Sequence, residues 1–171
     1  MRIARLVKPG EVVVNMFAGV GSFSIIIAKH SQAGRVYSID VNPAAFEYMR
    51  ENVLLNRVVN HVVPLKGDAK TIISERFQNT ADRVLMPLPE KAYEYLDYAV
   101  AALKPKGGWI HYYDFEHAGI DENRIEKVKA KISRKLSRFN TDFTMPFSRV
   151  VRDVGPRWQQ VVVDIEILGK T

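Results

Sequence analysis

The feature that most constrains this chain is a repeated order of short apolar runs and helical patterns that changes at its end. Apolar runs lie at Glu11–Asn15, Arg35–Asp40, His61–Lys66, Asp82–Met86 and Gly107–Tyr113. Helical patterns fill the intervals at Ser22–His30, Pro43–Asn56, Lys70–Phe77 and Glu90–Leu103. The last of these places Ala92, Tyr95, Leu96 and Ala99 on one side. Strands alternating with helices through short connections predict a parallel sheet covered on both faces. A long helix over Asn123–Phe139 is then followed by two strands near Phe143–Val151 and Gln159–Leu168. Only Asp153-Val154-Gly155-Pro156-Arg157 separates these two. So short a link cannot make a parallel crossover, so this pair is antiparallel. The expected fold is α/β: a mostly parallel seven-stranded sheet, helices on both faces, and a C-terminal antiparallel hairpin.

At 171 residues the chain suits a single domain, and 47% hydrophobic residues suffice for a core. It contains no cysteine, which excludes disulfides, thiolate metal sites and cysteine nucleophiles; no metal is expected. Nothing approaches the roughly 20 apolar residues of a membrane span, and the first six residues carry no secretory run. The expectation is a soluble, cytoplasmic, monomeric protein. The net charge of +6 is concentrated: Asp121–Arg157 holds ten Lys or Arg against five Asp or Glu. That suits a nucleic-acid partner.

Between the first strand and first helix stands Asn15-Met16-Phe17-Ala18-Gly19-Val20-Gly21-Ser22. Gly19 and Gly21 allow a tight turn and close approach to a ligand, and Ser22 is placed to cap the following helix. Alone, such a loop could be an ordinary glycine turn. Asp40 follows Gly21 by 19 residues and ends the second strand, where a carboxylate accepts from ribose hydroxyls. Its competing role is to cap the helix at Pro43, for which Asn42 is better suited. Asp68, after Gly67, ends the third strand and can accept from an adenine amino group or cap the helix near Lys70. Together these residues predict a ligand crevice at the carboxyl edge of the sheet. No second mononucleotide half follows, which argues against a nicotinamide dinucleotide, and no Gly-Lys-Ser/Thr phosphate loop is present. Five parallel strands closed by an antiparallel hairpin is the order of class I, Rossmann-like methyltransferases.

The motifs carry a closer resemblance. Asn15–Ile25 (NMFAGVGSFSI) resembles the DMFAGVGPFSI run of archaeal and eukaryotic tRNA (guanine-37-N1)-methyltransferases. Tyr37–Pro43 (YSIDVNP), Glu51–Asn56 (ENVLLN), Asp82–Pro89 (DRVLMPLP), Gly107–Tyr113 (GGWIHYY) and Arg149–Pro156 (RVVRDVGP) are similar to further motifs of that family. The likeness spans nearly the whole chain. It implies S-adenosylmethionine as cofactor and the anticodon stem-loop of tRNA as partner, with methylation at N1 of guanine 37. By matched position, Asn15, Phe17, Ala18, Gly19, Val20 and Gly21 would line the methionine part. Asp40 and Val41 would hold the ribose and one adenine face, and Asp68 and Ala69 the adenine edge. Pro87, Leu88 and Pro89 would form the base-facing catalytic loop, and Arg149, Arg152 and Arg157 would contact tRNA.

The sequence departs from the family pattern at Asn15, where an Asp is usual, and at Pro87, where an Asn is usual. Proline leaves only its backbone carbonyl to face the base. The related aminocarboxypropyl transferases of wyosine synthesis also lack that Asn, so aminocarboxypropyl transfer is the alternative activity; a non-catalytic cofactor- and tRNA-binding fragment is another. The resemblance further implies tRNA-gripping N-terminal domains and an Arg–Glu pair ahead of the stretch matching Met1–Leu6, none of them in these 171 residues. Methylating guanine N1 requires removal of its proton. Candidate bases here are Asp40, Asp68, Glu90, His111 and Asp114. Asp40 and Asp68 are better used on the cofactor, Glu90 reads as a first-turn helix acid, and His111 reads as a packed core residue. Arg124, Lys127, Lys131, Arg134 and Arg138 repeat along the long helix, as either a phosphate-contacting stripe or a solvated face.

Overall fold

A computed structural model describes residues 2–117, 119, 122–139 and 141–170. After a short helix α1 (Arg2–Leu6), strands β1 (Val12–Asn15), β2 (Arg35–Asp40), β3 (Val62–Lys66), β4 (Arg83–Met86) and β5 (Gly108–His117) alternate with helices. The helices are α2 (Ser22–His30), α3 (Pro43–Leu55), α4 (Ala69–Ile72) and α5 (Pro89–Ala102); α6 (Arg124–Leu136) precedes β6 (Thr141–Gly155) and β7 (Trp158–Lys170). The strand order is β3-β2-β1-β4-β5-β7-β6, with β1 to β5 parallel and β7 antiparallel to both of its neighbours.

The alternation of side chains along each strand builds the two faces. Val14, Met86, Ile110 and Val163 pack with Leu96, Ala99, Val128 and Ile132 in one apolar cluster. Val13, Val36 and Leu85 pack with Ile3, Ile25, Met49 and Val53 in the other. The helical spacing on α6 is realised: Val128, Ile132 and Leu136 are fully buried, and Ile125 and Phe139 pack against them.

Local departures have local causes. Ser22 does not cap α2. Gly21, in the left-handed region at φ 87°, takes the cap position, and Ser22 becomes the first helical residue. The expected helix at Lys70–Phe77 starts one residue earlier and widens into a π-helical turn at Ile73–Phe77, which buries Ile73 and Phe77. The final hairpin is longer and tighter than its sequence signals. Gly155 pairs with Trp158, leaving Pro156-Arg157 as the link. Proline fixes its own φ near −65°, and Arg157 sits at φ 63°. That is the type II pattern, in which glycine or asparagine usually takes the second place.

Candidate cofactor site

The sheet order reverses between β1 and β4, and the crevice beyond the carboxyl ends of such strands is the expected ligand position. A cavity of about 200 Å³ lies there, lined by Met16, Phe17, Gly19, Asp40, Val41, Gly67, Asp68, Ala69, Pro87, Leu88 and Tyr95. Larger depressions exist, including one of about 560 Å³ bordered by Lys8, Gly10, Asp82 and Lys104. Position at the switch point and the donor set, not size, distinguish the smaller cavity.

Its walls are fixed by the strand ends. Asp40 holds the glycine loop: its Oδ2 accepts from the Gly19 amide at 2.7 Å and its Oδ1 from the Asn42 amide at 2.9 Å. Gly19, at φ 55°, is thereby drawn against the end of β2. Asn42, not Asp40, caps α3, accepting from Ala44 and Ala45. Asp68 does cap the next helix, accepting from the Lys70 amide at 2.7 Å, but its second oxygen accepts at 2.9 Å from the hydroxyl of Tyr95, which also lines the cavity. Burial, and then that bond to the carboxylate, push the Tyr95 hydroxyl up to about 12. The Tyr95 ring meets Phe17 edge-on with centroids 5.1 Å apart. Val41, another lining residue, is 66% exposed.

The cavity thus gathers Phe17, Gly19, Asp40, Val41, Asp68, Ala69, Pro87 and Leu88 from the expected set. Asn15, Ala18, Val20, Gly21 and Pro89 are not in its lining. Asn15 is fully buried, and its Nδ2 donates to Ser24 Oγ at 3.1 Å. The Ala18 amide donates to Ile39 O. Val20 is 42% exposed, and its carbonyl accepts from Asn52 Nδ2. Gly21 lies against Met49, and Pro89 is buried at the start of α5. Met16, Gly67 and Tyr95 line the cavity in addition to the expected set. Gly67 was readable as the neighbour of Asp68. Tyr95 was hidden within the apolar stripe of its helix.

The candidate bases separate as well. His111 is fully buried between Arg83 and Asp164, and Asp114 is buried between the Tyr112 hydroxyl and Lys131. Neither lines the cavity. Glu90 is exposed on the first turn of α5. Of the basic stripe on α6, Lys127 and Lys131 are paired with carboxylates and Arg124 donates to the Arg157 carbonyl, while Arg134 and Arg138 are exposed. Arg149, Arg152 and Arg157 stand exposed on the β6–β7 hairpin. No described helix is long and apolar enough to cross a membrane, and no cluster of metal-ligating side chains occurs among the described residues.

Residues 1–141 match the TRM5/TYW2 methyltransferase domain family. The chain belongs to this family. It is 36% identical over 168 residues to the Pyrococcus abyssi tRNA (guanine(37)-N(1))-methyltransferase Trm5b, covering 98% of this chain and 47% of that one. The crystal structure of that protein superposes with a TM-score of 0.84. The tRNA 4-demethylwyosine(37)-methyltransferase Taw21 of Saccharolobus solfataricus is 39% identical over 97% of this chain and 58% of its own length. The structure of Methanocaldococcus jannaschii TYW2 in complex with AdoMet matches 98% of this chain and 73% of that one at 31% identity, with a TM-score of 0.81. The chain therefore spans about half the length of the curated relatives it matches.

Proposed function

We propose that this chain is the S-adenosylmethionine-binding catalytic domain of an enzyme that methylates N1 of guanine 37 in tRNA. The observation that carries the reading is the meeting of three strand ends in one crevice, with the Asp40 and Asp68 carboxylates on its wall beside apolar Phe17, Val41 and Leu88. This donor set fits the cofactor. Asp40, immobilised by two backbone amides, keeps further lone pairs for ribose hydroxyls. Asp68 can accept from the adenine amino group while Tyr95 holds it in place. Val41 and Phe17 supply apolar walls. Bound there, the cofactor supplies an electrophilic methyl group.

The protein's own contribution is alignment and exclusion of water. The Pro87-Leu88 stretch borders the same cavity, so an acceptor base held against it lies beside the cofactor. The hairpin arginines supply positive charge for the phosphates. His111 and Asp114 are occupied by packing partners, so neither takes the N1 proton. The names of the relatives support a tRNA substrate modified at position 37, and two of them carry methyltransferase names. One observation favours aminocarboxypropyl transfer instead: Pro87 offers the base no side-chain hydrogen bond.

Calorimetry and product analysis test this reading. Asp40→Ala should weaken S-adenosylmethionine binding by on the order of 1–3 kcal/mol, the cost of removing a hydrogen bond to a charged group. Unchanged affinity would remove Asp40 from the site. Digestion of tRNA treated with the enzyme should yield 1-methylguanosine; an aminocarboxypropyl product would assign the other activity.

A further inference from the structure

The end of the sheet carries a surface that the cofactor site does not use. β4 pairs with β5 only as far as Met86 opposite Tyr112, so β5 runs on from Tyr113 to His117 past the parallel sheet. Along that stretch its only sheet neighbour among the described residues is β7, which pairs in turn with β6. The three strands form a wing that projects beyond the carboxyl edge, the edge on which the cofactor cavity opens.

The two faces of the wing differ in charge. Asp114 and Glu116 point to the face covered by α6. Lys131 Nζ donates there to Asp114 at 2.8 Å and Glu116 at 3.3 Å, and Lys127 adds a contact to Glu116 at 3.7 Å. Lys127 also bonds the His117 carbonyl at 2.9 Å, and Arg124 the Arg157 carbonyl at 3.4 Å, so α6 anchors the wing up to its tip. The acidic side chains of β5 are thereby neutralised on one face, and the other is left aromatic and cationic. It presents Phe115 and His117 on β5, Trp158 on β7, and Arg149 and Arg152 on β6, with half-buried Tyr113 packed against Phe23 at its base. Trp158 is 45% exposed, and its ring lies 5.3 Å from that of His117. A depression of about 600 Å³ opens beside it, lined by Phe115, Arg152, Asp153, Val154 and Trp158. Its one carboxylate, Asp153, accepts from Gln159 Nε2 at 2.7 Å, and Arg152 is aimed by a 3.0 Å bond from Nε to Gln160.

Leaving a tryptophan this open to water forfeits the favourable burial of a large apolar ring. Exposed aromatic faces flanked by arginines are what an unpaired base and its phosphate recognise, through stacking and charge together. We infer that this open face is a stacking platform for an unpaired nucleotide of the RNA substrate, with Trp158 beneath the base and Arg152 at its phosphate. The inference rests on the tRNA reading above and goes further, in assigning the wing to a base outside the reacting position. Its place beyond the carboxyl edge suits a nucleotide of the same loop as the acceptor base.

The test uses the whole chain, with an anticodon stem-loop RNA and a blunt duplex of equal length as probes. The stem-loop should quench the Trp158 part of the tryptophan emission, and the duplex should not. Trp158→Ala should weaken stem-loop binding on the order of 5- to 100-fold, and Trp158→Phe by no more than about 3-fold, since a smaller ring still stacks. Arg152→Gln should lower both affinity and its salt dependence. Cofactor affinity should stay the same in all three variants, which checks folding. If Trp158→Ala binds the stem-loop as the parent does, the platform is wrong while the RNA reading stands. If the parent binds cofactor but no stem-loop, both fall. If sedimentation shows a dimer that Trp158→Ala dissociates, the face belongs to a second copy of the chain and the inference is overturned.

Discussion

Asn15 has neither charge nor access to water. Its Nδ2 donates to Ser24 Oγ at 3.1 Å, and Ser38 Oγ bonds the same hydroxyl at 2.7 Å, closing a small uncharged network beneath the glycine loop. A carboxylate at this position would strengthen the pull on a cofactor ammonium, but it would be desolvated in the core and would lose the amide's donor to Ser24. Asn15→Asp is therefore expected to bind S-adenosylmethionine several-fold more tightly while losing about 1–2 kcal/mol of stability. Calorimetry and urea unfolding measure the two effects separately. An unchanged affinity would mean that position 15 does not act on the ammonium group. Tyr95 shows how a site residue escapes a sequence reading. Its spacing with Ala92, Leu96 and Ala99 is that of a core stripe, and its ring does pack there. Its hydroxyl reaches Asp68, 27 residues upstream, a contact that only the folded sheet creates.

At the scale of elements, periodicity and punctuation made most of the fold legible. β2 and α2 fall on the residues that alternation and helical spacing predict, because one-sided or two-sided burial leaves its period in the sequence. The extension of β5 to His117 was not legible. Asp-Phe-Glu-His is a poor strand by composition, and it becomes one because β7 supplies hydrogen bonds and α6 supplies lysines for its acids. The strand ends of the candidate site carry a double signal in the sequence: a carboxylate there can face a ligand or cap the next helix, and Asp68 caps while Asp40 leaves that role to Asn42. The hairpin tip was legible as a turn but not as a strained one. Arg157 at φ 63° occupies a conformation that costs an L-residue on the order of 1 kcal/mol. Arg157→Gly should relieve it and raise unfolding stability by about 0.5–1 kcal/mol, set against the extra freedom glycine gives the unfolded chain. If Arg157 contacts phosphate, the same variant should bind tRNA more weakly, with its salt slope reduced by roughly 0.7–0.9. A stabilised variant with unchanged tRNA binding would remove Arg157 from the contact set.

At the scale of the whole molecule, a buried polar relay joins parts of the chain that packing alone would leave independent. Fully buried Arg83 on β4 donates to Glu11 at 2.7 and 3.0 Å, to the Leu6 carbonyl at 2.8 Å, and to His111 Nε2 at 2.7 Å. His111 Nδ1 lies 2.7 Å from Asp164 on β7, which also takes Arg2 of α1. A guanidinium can only donate, so Nε2 must accept, and the imidazole is neutral with its proton on Nδ1, donated to Asp164. The relay then sums to zero charge, the state that costs least in the core. Burial holds the His111 pKa down, with the nearby guanidinium groups acting in the same direction, although Asp164 opposes them. Asp164 is held at about 2, because the bonds from His111 and Arg2 outweigh the burial that would raise it. Both shifts have the same consequence for stability. Below about pH 6.5 an unfolded chain protonates this histidine and the folded one resists, so stability falls by up to about 1.4 kcal/mol per pH unit. Asp164 contributes stability that is fully present above about pH 4 and is lost as the pH falls through 2. The urea midpoint should therefore decline between pH 7 and 5, before most carboxylates titrate, and fall further below pH 4. His111→Gln should be less stable at pH 7 yet nearly flat from pH 7 to 5. A parent curve that is itself flat over that interval would show that His111 titrates alike in both states, and that the relay does not hold the ring neutral.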